Sequence, residues 1–291
     1  MEGSGAGSGG TMTGAKADLA SGKGHRDENF PVASMLLKPQ HRVPVMAFYR
    51  FARAADDIAD HPTADAHDKL TRLADMRRGL DGEGAPEAMA LARAMAERDI
   101  DPVHAHELLD AFVQDVTVNR YADWDALIGY CRLSAMPVGR FVLDVHGEDR
   151  AVWPLSDSLC AALQVINHLQ DCAKDYRELD RVYLTAEALT AHGARIGDLA
   201  AERATPSLLN AVRDMARRTS HLLGRSAAFA PAIRDRRLSA EVAIIQCLAE
   251  DLTGKLMRHD PLSDRVHHHG AETAWLAARA VLGNLIARRR T

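Results

Sequence analysis

The sequence predicts an all-α protein, and three observations indicate this class. From Glu28 onward Ala, Leu, Arg and Glu dominate and runs of β-branched residues are few, a composition that favours helices. Prolines recur near the predicted helix starts, where the missing N–H costs nothing. Helical patterning predicts helices over 42–60, 66–80, 86–97, 101–119, 123–147, 155–178, 206–229, 238–258 and 270–289.

Prolines and glycines set the predicted boundaries of these helices. The prolines near predicted helix starts are Pro39, Pro44, Pro102 and Pro206. Pro137 falls inside the predicted helix 123–147 and should kink it, because proline removes a backbone hydrogen bond. The segment Gly82-Glu83-Gly84 and the residue Gly193 mark loops between helices.

The chain divides into a tail and a domain. Residues 1–26 are rich in Gly, Ser and Ala with almost no large apolar side chain, which predicts disorder. Residues 27–291 show no internal repeat and no Gly/Pro-rich linker, so we expect a single all-α domain. A chain of 291 residues with 47% hydrophobic side chains can bury a sizeable core.

Composition and charge exclude several classes of protein. A net charge of −4 provides no basic field for nucleic acid. The four cysteines lie far apart without a C-x-x-C pair, which favours reduced thiols over a disulfide framework. No apolar run approaches the ~20 residues that span a bilayer, and the N-terminus lacks the apolar stretch of a signal peptide. We therefore expect a cytoplasmic protein that contacts a membrane at most peripherally.

A polar stripe runs along the first predicted helix. Tyr49, Arg53, Asp56 and Asp60 follow steps of 4, 3 and 4, so they share one face of an otherwise apolar helix. A core would leave these polar groups without partners, so the stripe must face a cavity or a ligand. Arginine provides a planar fork for phosphate oxygens, and tyrosine adds a hydroxyl donor.

A second polar stripe lies on the predicted helix 155–178. Gln164, Asn167, Asp171 and Asp175 follow steps of 3, 4 and 4, and the two amides can orient a diphosphate or a metal-bound water. For either stripe alone, a solvated helix face with ordinary i,i+4 pairs is the alternative. Two such stripes in one chain favour ligand binding.

The two aspartate pairs predict a metal site. Asp56 with Asp60, and Asp171 with Asp175, each place two carboxylates one helical turn apart. If the two helices face each other across a cavity, the four carboxylates form a cage of hard oxygen ligands. Such a cage suits several Mg²⁺ ions with a diphosphate between them. We expect Arg53 to pair with these acids and relieve their mutual repulsion.

Four segments resemble the squalene/phytoene synthase family in their residues, order and spacing, over roughly residues 28 to 260. They are 49–60, Tyr130-Cys131 with Val138-Gly139, 164–175 and 181–184. The resemblance implies an isoprenoid-synthase helical bundle around a central cavity and Mg²⁺-dependent ionisation of prenyl diphosphates. It implies that the metal ligands are Asp56, Asp60, Asp171 and Asp175. It implies diphosphate contacts from Tyr49, Arg53, Gln164 and Asn167. Arg53 and the four aspartates are the implied catalytic set, because they stabilise the leaving charge.

Two further segments resemble the branch of this family that converts presqualene diphosphate into hydroxysqualene in bacterial hopanoid biosynthesis, beside a presqualene diphosphate synthase. They are 29–34, which begins Asn29-Phe30-Pro31, and 131–140. Two departures from the wider family agree with this branch. Gln170 stands where most members carry Arg, which removes a cation from the diphosphate site. Leu133 stands where squalene and dehydrosqualene synthases carry Tyr, which removes a hydroxyl from the cavity.

The expected function is therefore Mg²⁺-dependent ionisation of presqualene diphosphate, rearrangement of the cation and capture of water to give hydroxysqualene. The alternative in the same class is head-to-head condensation of two prenyl diphosphates to presqualene diphosphate, dehydrosqualene or phytoene. The alternative in another class is a non-catalytic helical scaffold, which predicts eroded aspartates, whereas all four are present. No Gly-rich dinucleotide fingerprint appears, so no nicotinamide cofactor is expected.

Overall fold

A computed structural model describes residues 38–288, and over this range the chain is built from α-helices with no β-strand. The prediction of an all-α protein is confirmed. The predicted disordered tail 1–26 and the segment Asn29-Phe30-Pro31 lie outside the described residues. The division into a tail and a single domain over 27–291 therefore stays a prediction.

Thirteen α-helices occur within residues 38–288. In chain order they are α1 Pro39–Ala59, α2 Ala66–Leu80, α3 Pro86–Ala96, α4 Val103–Thr117, α5 Trp124–Ser134, α6 Met136–His146, α7 Trp153–Gln170, α8 Cys172–Leu179, α9 Ala186–Ala191, α10 Pro206–Ser226, α11 Phe229–Ala232, α12 Arg236–Leu256 and α13 Gly270–Ala287. Short 3₁₀ helices cover Arg150–Val152 and Ile196–Ala200. Several helices begin with a side-chain cap on a free backbone N–H. The capping residues include Asp65, Asp123, Thr185, Thr205 and Asp235.

Two predicted helices are each divided into two. The predicted helix 123–147 becomes α5 and α6, separated at Ala135 (φ −127°, ψ −44°). The cause is Pro137, which has no N–H for the next helical hydrogen bond. The predicted helix 155–178 becomes α7 and α8, separated at Asp171 (φ −96°, ψ 9°). The kink predicted at Pro137 is confirmed as a break between α5 and α6, whereas the prediction of one continuous helix over 155–178 is wrong.

Pro44 lies inside α1 rather than at its start, because the helix already begins at Pro39. Proline cannot donate to the carbonyl four residues earlier, which here belongs to Gln40. The Arg98 guanidinium donates a hydrogen bond to that Gln40 carbonyl. The side chain thus replaces the missing backbone donor, and α1 continues to the acidic residues at its end.

The helices enclose two hydrophobic clusters. One is formed by α1 to α4 with part of α6, and its fully buried side chains include Phe51, Leu91 and Phe141. The other is formed mainly by α5, α7, α10 and α12, with Ile166 and Leu252 among its buried residues. The two clusters meet at α4 and α6, because each of these helices contributes buried residues to both clusters.

Within residues 38–288, the segment Trp124–His146 is the one stretch long and apolar enough to cross a membrane by length and composition. The expectation that no apolar run reaches this length is therefore wrong. The break at Ala135 divides the segment, and Leu127, Cys131 and Phe141 are fully buried inside the protein. These helices are accordingly core elements of the fold.

Helices α6 and α7 approach closely at Gly139. A Cβ atom added there would lie 2.5 Å from Ser156 Oγ and 2.6 Å from Cys160 Sγ, both on α7. Contacts this short essentially never occur for real Cβ atoms, so an alanine at position 139 would have to displace the Ser156 and Cys160 side chains or separate the two helices. By contrast, a Cβ at Gly129 on α5 would meet no atom within 4 Å.

The first testable prediction concerns this crossing. Gly139→Ala should lower the free energy of unfolding by about 1 to 3 kcal/mol, because the added methyl group displaces Ser156 Oγ and Cys160 Sγ or separates α6 from α7. Gly129→Ala is the matched control and should be neutral or stabilising by up to about 1 kcal/mol, since alanine is the better helix former. Urea unfolding monitored by circular dichroism measures both. Equal stability of the two variants would contradict the close crossing.

Candidate active site

One cavity of about 1000 Å³ lies between the helices. Its wall includes all eight residues that the sequence selected: Tyr49, Arg53, Asp56, Asp60, Gln164, Asn167, Asp171 and Asp175. As predicted, the helix with the first stripe and the helices with the second stripe line the same cavity. The metal-binding, diphosphate-binding and catalytic roles of these residues stay predictions.

The α1 side of the cavity is organised by Arg53. Its Nη1 donates to Asp56 Oδ2 at 2.9 Å, and its Nη2 donates to Asp57 Oδ1 at 3.4 Å. The predicted pairing of Arg53 with the acids is confirmed. The stripe faces the cavity while the opposite side of α1 buries Phe48, Phe51 and other apolar residues, which is the division that its sequence spacing predicts.

Arg181 joins three parts of the chain at the acidic end of the cavity. The guanidinium donates to Asp60 Oδ1 at 2.5 Å, to the Ala59 carbonyl at 3.4 Å and to the Asp115 carbonyl at 3.2 Å. Burial lowers the pKa of Arg181, but the nearby Asp60 and Asp115 carboxyls outweigh burial and raise the pKa overall. Arg181 therefore stays charged and neutralises part of this acidic end.

The loop that carries Arg181 is fixed by backbone hydrogen bonds. Val182 N donates to the Asn119 carbonyl at 2.9 Å, and Ala186 N donates to the Tyr121 carbonyl at 2.9 Å. Asp180 begins the loop in the left-handed region, with φ of 51°, and Arg120 Nη2 donates to its carboxylate at 2.5 Å. These contacts bring both Arg181 and Tyr183 to the cavity wall.

Asp115 is a cavity residue that sequence reasoning missed. Tyr130 donates its hydroxyl to Asp115 Oδ2 at 3.0 Å, while Oδ1 is buried without a hydrogen-bond partner in the protein. Burial raises the pKa of Asp115 to about 7, against the opposing effects of Arg181 and the Tyr130 hydrogen bond. The sequence signal that could have identified Asp115 is its helical spacing, since Leu108, Phe112 and Asp115 follow steps of 4 and 3 and so share one face of α4. All three residues line the cavity.

Aromatic rings form another part of the wall. The His168 ring stacks on Tyr183 with centroids 3.4 Å apart, and the Tyr130 ring lies 5.7 Å from Tyr183. Burial lowers the pKa of His168, although Asp175 opposes this effect; the imidazole Nδ1 lies 3.9 Å from Asp175 Oδ2. The neutral His168 ring and the two tyrosines therefore make this part of the cavity wall aromatic.

The charge of the wall is unbalanced. Seven carboxyl groups line the cavity against three permanent cations, Arg53, Lys174 and Arg181. The remainder of the wall is partly apolar, with Ala52, Leu108, Phe112 and Val138. A diphosphate brought alone into this surplus of carboxylates would be repelled. The wall therefore suits an anionic head group only when cations accompany it, together with an apolar tail.

The two sequence departures do not lie where the sequence analysis placed them. Gln170 is buried away from the cavity, and its amide donates to the Val266 carbonyl ahead of α13. Leu133 packs against the core and is not part of the cavity wall. The interpretations that these residues change the diphosphate site and the cavity are therefore wrong. The cause is helix phase, since Asn167, His168 and Asp171 occupy the cavity side of α7.

An all-helical bundle with two aspartate pairs on the wall of one large cavity is the architecture of an isoprenoid-synthase enzyme. The chain belongs to the squalene/phytoene synthase family, whose sequence profile matches residues 24–272. This family acts on prenyl diphosphates.

Individual relatives agree with this assignment. The chain is 54% identical to the hydroxysqualene synthase of Zymomonas mobilis, over 92% of each chain. It is 53% identical to the hydroxysqualene synthase of Rhodopseudomonas palustris, over 86% of this chain and 87% of the relative. The crystal structure of a squalene synthase from Alicyclobacillus acidocaldarius is similar with a TM-score of 0.70 at 29% identity, over 80% of this chain and 90% of that one.

The second testable prediction follows from the raised pKa of Asp115. Between about pH 4 and pH 7 the folded state keeps a proton on Asp115 that the unfolded state has lost, so this carboxyl makes stability fall as pH rises. Asp115→Asn resembles the protonated form and removes this effect. Relative to wild type, the variant should gain up to about 1.4 kcal/mol per pH unit across this window.

Urea unfolding at several pH values measures the difference between wild type and variant. Glu83→Gln provides the control, because Glu83 is exposed in the loop between α2 and α3 and should change stability by less than about 0.5 kcal/mol. A difference between wild type and Asp115→Asn that is independent of pH would contradict the assignment of a protonated Asp115.

Proposed function

We propose that this enzyme converts presqualene diphosphate to hydroxysqualene in a Mg²⁺-dependent reaction. The observation that carries the proposal is the cavity wall, where two aspartate pairs and Arg53 meet an apolar and aromatic surface. The relatives named hydroxysqualene synthase, at 49% to 54% identity, support this substrate and this product. The proposal includes a cytoplasmic enzyme, supplied by a presqualene diphosphate synthase in bacterial hopanoid biosynthesis.

The donor set of the cavity fits Mg²⁺. Within residues 38–288, no three His, Cys, Asp or Glu side chains converge to hold an ion by themselves. Mg²⁺ is commonly bound by one or two carboxylates, with water and substrate phosphates completing its shell. The ions would be held by Asp56, Asp60, Asp171 and Asp175. Divalent-metal dependence is general in this family, and bound ions supply charge neutralisation for the departing diphosphate.

The polar residues of both stripes bind the head group. The Arg53 guanidinium turns from its carboxylate partners to phosphate oxygens, for which its planar fork is suited. The Tyr49 hydroxyl donates a hydrogen bond to the diphosphate. The amides of Gln164 and Asn167 orient the diphosphate from the opposite helix. When the C–O bond breaks, its electron pair leaves with the diphosphate, and these donors stabilise the new charge.

The remaining wall controls the carbocation. Ionisation of presqualene diphosphate gives a cyclopropylcarbinyl cation, whose rearrangement opens the ring. The faces of Tyr130 and Tyr183 stabilise positive charge through their π systems. The apolar residues Leu108, Phe112 and Val138 exclude bulk water, so that the cation meets one bound water rather than solvent.

Capture of water requires an acceptor for its proton. Attack by the water oxygen forms the new C–O bond, and one proton must leave the resulting oxonium. We assign this acceptor to Asp115, whose Oδ1 is buried without a protein partner while Oδ2 is held by Tyr130. A carboxyl with a pKa of about 7 is suited to accept a proton near neutral pH.

Head-to-head condensation is the second candidate. A phytoene synthase of Mycobacterium tuberculosis is 31% identical over 58% of this chain, and the same two aspartate pairs serve either reaction. The higher identity and longer coverage of the hydroxysqualene synthases favour the first proposal. A non-catalytic scaffold is the least favoured alternative, since it gives no reason for all four aspartates to line one cavity.

The third testable prediction concerns the metal. Removal of divalent ions with EDTA should abolish turnover, and Mg²⁺ should restore it. Asp56→Asn and Asp171→Asn should each lower kcat by at least ~10²-fold, because charge stabilisation of the leaving diphosphate is lost. Asp125→Asn, on the exposed first turn of α5, should retain activity. Activity near the wild-type value in both cavity variants would refute the metal assignment.

The fourth testable prediction concerns the product. Presqualene diphosphate alone should be consumed and converted to hydroxysqualene, and added NADPH should not divert it to squalene. In H₂¹⁸O the product hydroxyl should carry the label, because its oxygen comes from water; gas chromatography with mass spectrometry measures this. Efficient conversion of farnesyl diphosphate would instead favour condensation. Inertness toward both substrates, with Mg²⁺ present and the fold intact, would leave the scaffold alternative.

A further inference from the structure

Helix α13 presents an apolar face to solvent. Its inner side packs through Leu276 against Cys247 and Leu248 of α12. The large apolar residues on its outer side are Trp275, Leu282, Leu285 and Ile286, which are 61%, 61%, 54% and 47% exposed. The exposed small residues beside them are Ala271, Ala274, Ala278 and Gly283. Between Gly270 and Ala287, Arg279 is the one exposed charged side chain.

This clustering distinguishes α13 from the other apolar exposure in residues 38–288. The remaining large apolar side chains that are exposed are Val43, Val103, Val118 and Ile196, which are spread over other elements. At about 100° per residue, the exposed positions of α13 cover about half of its circumference. Single exposed apolar residues are ordinary, whereas a continuous apolar face indicates an interaction surface.

The C-terminal end of this face adjoins a basic surface. Arg288 Nη1 donates to the Ile233 carbonyl at 2.5 Å, and Asn284 Nδ2 donates to Ser239 Oγ at 2.8 Å, so the end of α13 lies beside the start of α12. The exposed arginines at this start are Arg234, Arg236 and Arg237.

The acids of this region are already paired. Asp235 forms an ion pair with Lys38 at 2.7 Å, and buried Glu148 lies 3.5 Å from the Arg234 guanidinium. On α13 itself, Glu272 is bound by Lys255 at 2.7 Å. The surface beside the apolar face therefore carries an excess of positive charge, which is complementary to an anionic partner.

We propose that α13 docks this enzyme onto an anionic phospholipid bilayer. The apolar face enters the boundary between head groups and acyl chains, and the arginines at its end contact the lipid phosphates. An interfacial helix combines these features: a continuous apolar face, a tryptophan and adjacent cations. Each arginine near an anionic surface strengthens the attraction to it. A second copy of the chain fits less well, because this face carries no acid to pair with the arginines.

The docking helix is separate from the chemistry. No residue of α12 or α13 lines the cavity, so substitutions on the outer face of α13 leave the cavity wall intact. Binding to vesicles can be measured without substrate or metal. The result therefore does not depend on whether the proposed reaction is correct.

The test uses the full chain and two kinds of vesicle, pure phosphatidylcholine and an equal mixture of phosphatidylcholine and phosphatidylglycerol. Co-sedimentation should show binding to the mixed vesicles, weaker binding to the neutral ones, and loss of the difference at high salt. The double variant Leu282→Ser/Leu285→Ser should lower partitioning into mixed vesicles by at least tenfold, about 1.4 kcal/mol. The matched control Val103→Ser/Ile196→Ser replaces apolar residues exposed on other elements and should bind as wild type.

Two further variants test the individual contributions. Arg236→Gln/Arg237→Gln should reduce binding to mixed vesicles and leave binding to neutral vesicles unchanged. Binding should shift tryptophan emission to shorter wavelength in wild type, and Trp275→Phe should remove this shift. Circular dichroism and thermal unfolding establish that each variant keeps the fold.

Three outcomes would overturn the proposal. Equal partitioning of wild type and the α13 double variant would show that the face does not enter lipid. A dimer in light scattering that the same double variant dissociates, without vesicle binding by wild type, would assign the face to a second copy. Vesicle binding that appears only after deletion of residues 1–37 would assign the face to the chain's own N-terminal segment.

Discussion

The geometry of the acidic end of the cavity depends on one buried guanidinium. Arg181 donates to the carboxylate of Asp60 and to the carbonyls of Ala59 and Asp115, so it ties its own loop to the ends of α1 and α4. A buried cation is stable only when it is paired and fully hydrogen-bonded. The acids need Arg181 equally, because the carboxyls of Asp60 and Asp115, from two different segments, lie beside it. The contacts of Arg181 therefore set both the position of its loop and the net charge at the acidic end of the cavity.

The surplus of carboxylates around this contact gives the cavity its selectivity. A wall with more acids than cations disfavours a bare diphosphate and favours one that arrives with divalent ions. The same low-dielectric surroundings that raise the pKa of Asp115 strengthen every charge interaction once a ligand excludes water. Beyond the acids, stacked His168 and Tyr183 and the apolar residues form an aromatic and apolar surface. Such a surface suits a reactive cation with a long hydrocarbon chain.

Breaks in the helices adapt a simple bundle to this site. Asp171 lies at the junction of α7 and α8, and Ser134 precedes the break before α6. In α1 the interior Pro44 causes no such break, because Arg98 supplies a donor to the Gln40 carbonyl. The cavity is lined by α1, α4, α5, α6, α7, α8 and the loops that follow α1 and α8, whereas the exposed face of α13 lies elsewhere on the molecule. Substitutions on the outer face of α13 can thus change the proposed docking to a bilayer without changing the residues of the cavity wall.

The sequence by itself determined the helical class, most helix positions and the eight polar residues that meet in the cavity. These features depend on local spacing, since a stripe such as Tyr49, Arg53, Asp56 and Asp60 is set by the helical repeat. Tertiary structure decided the burial and the partners of individual side chains, which the spacing of residues along the sequence does not specify. The environment of Asp115 depends on burial and on Tyr130 from another helix. The orientation of Gln170 depends on the phase of α7 against Val266. Contacts between distant segments, rather than residue type, determine which side chains reach a cavity and which proton a carboxyl keeps.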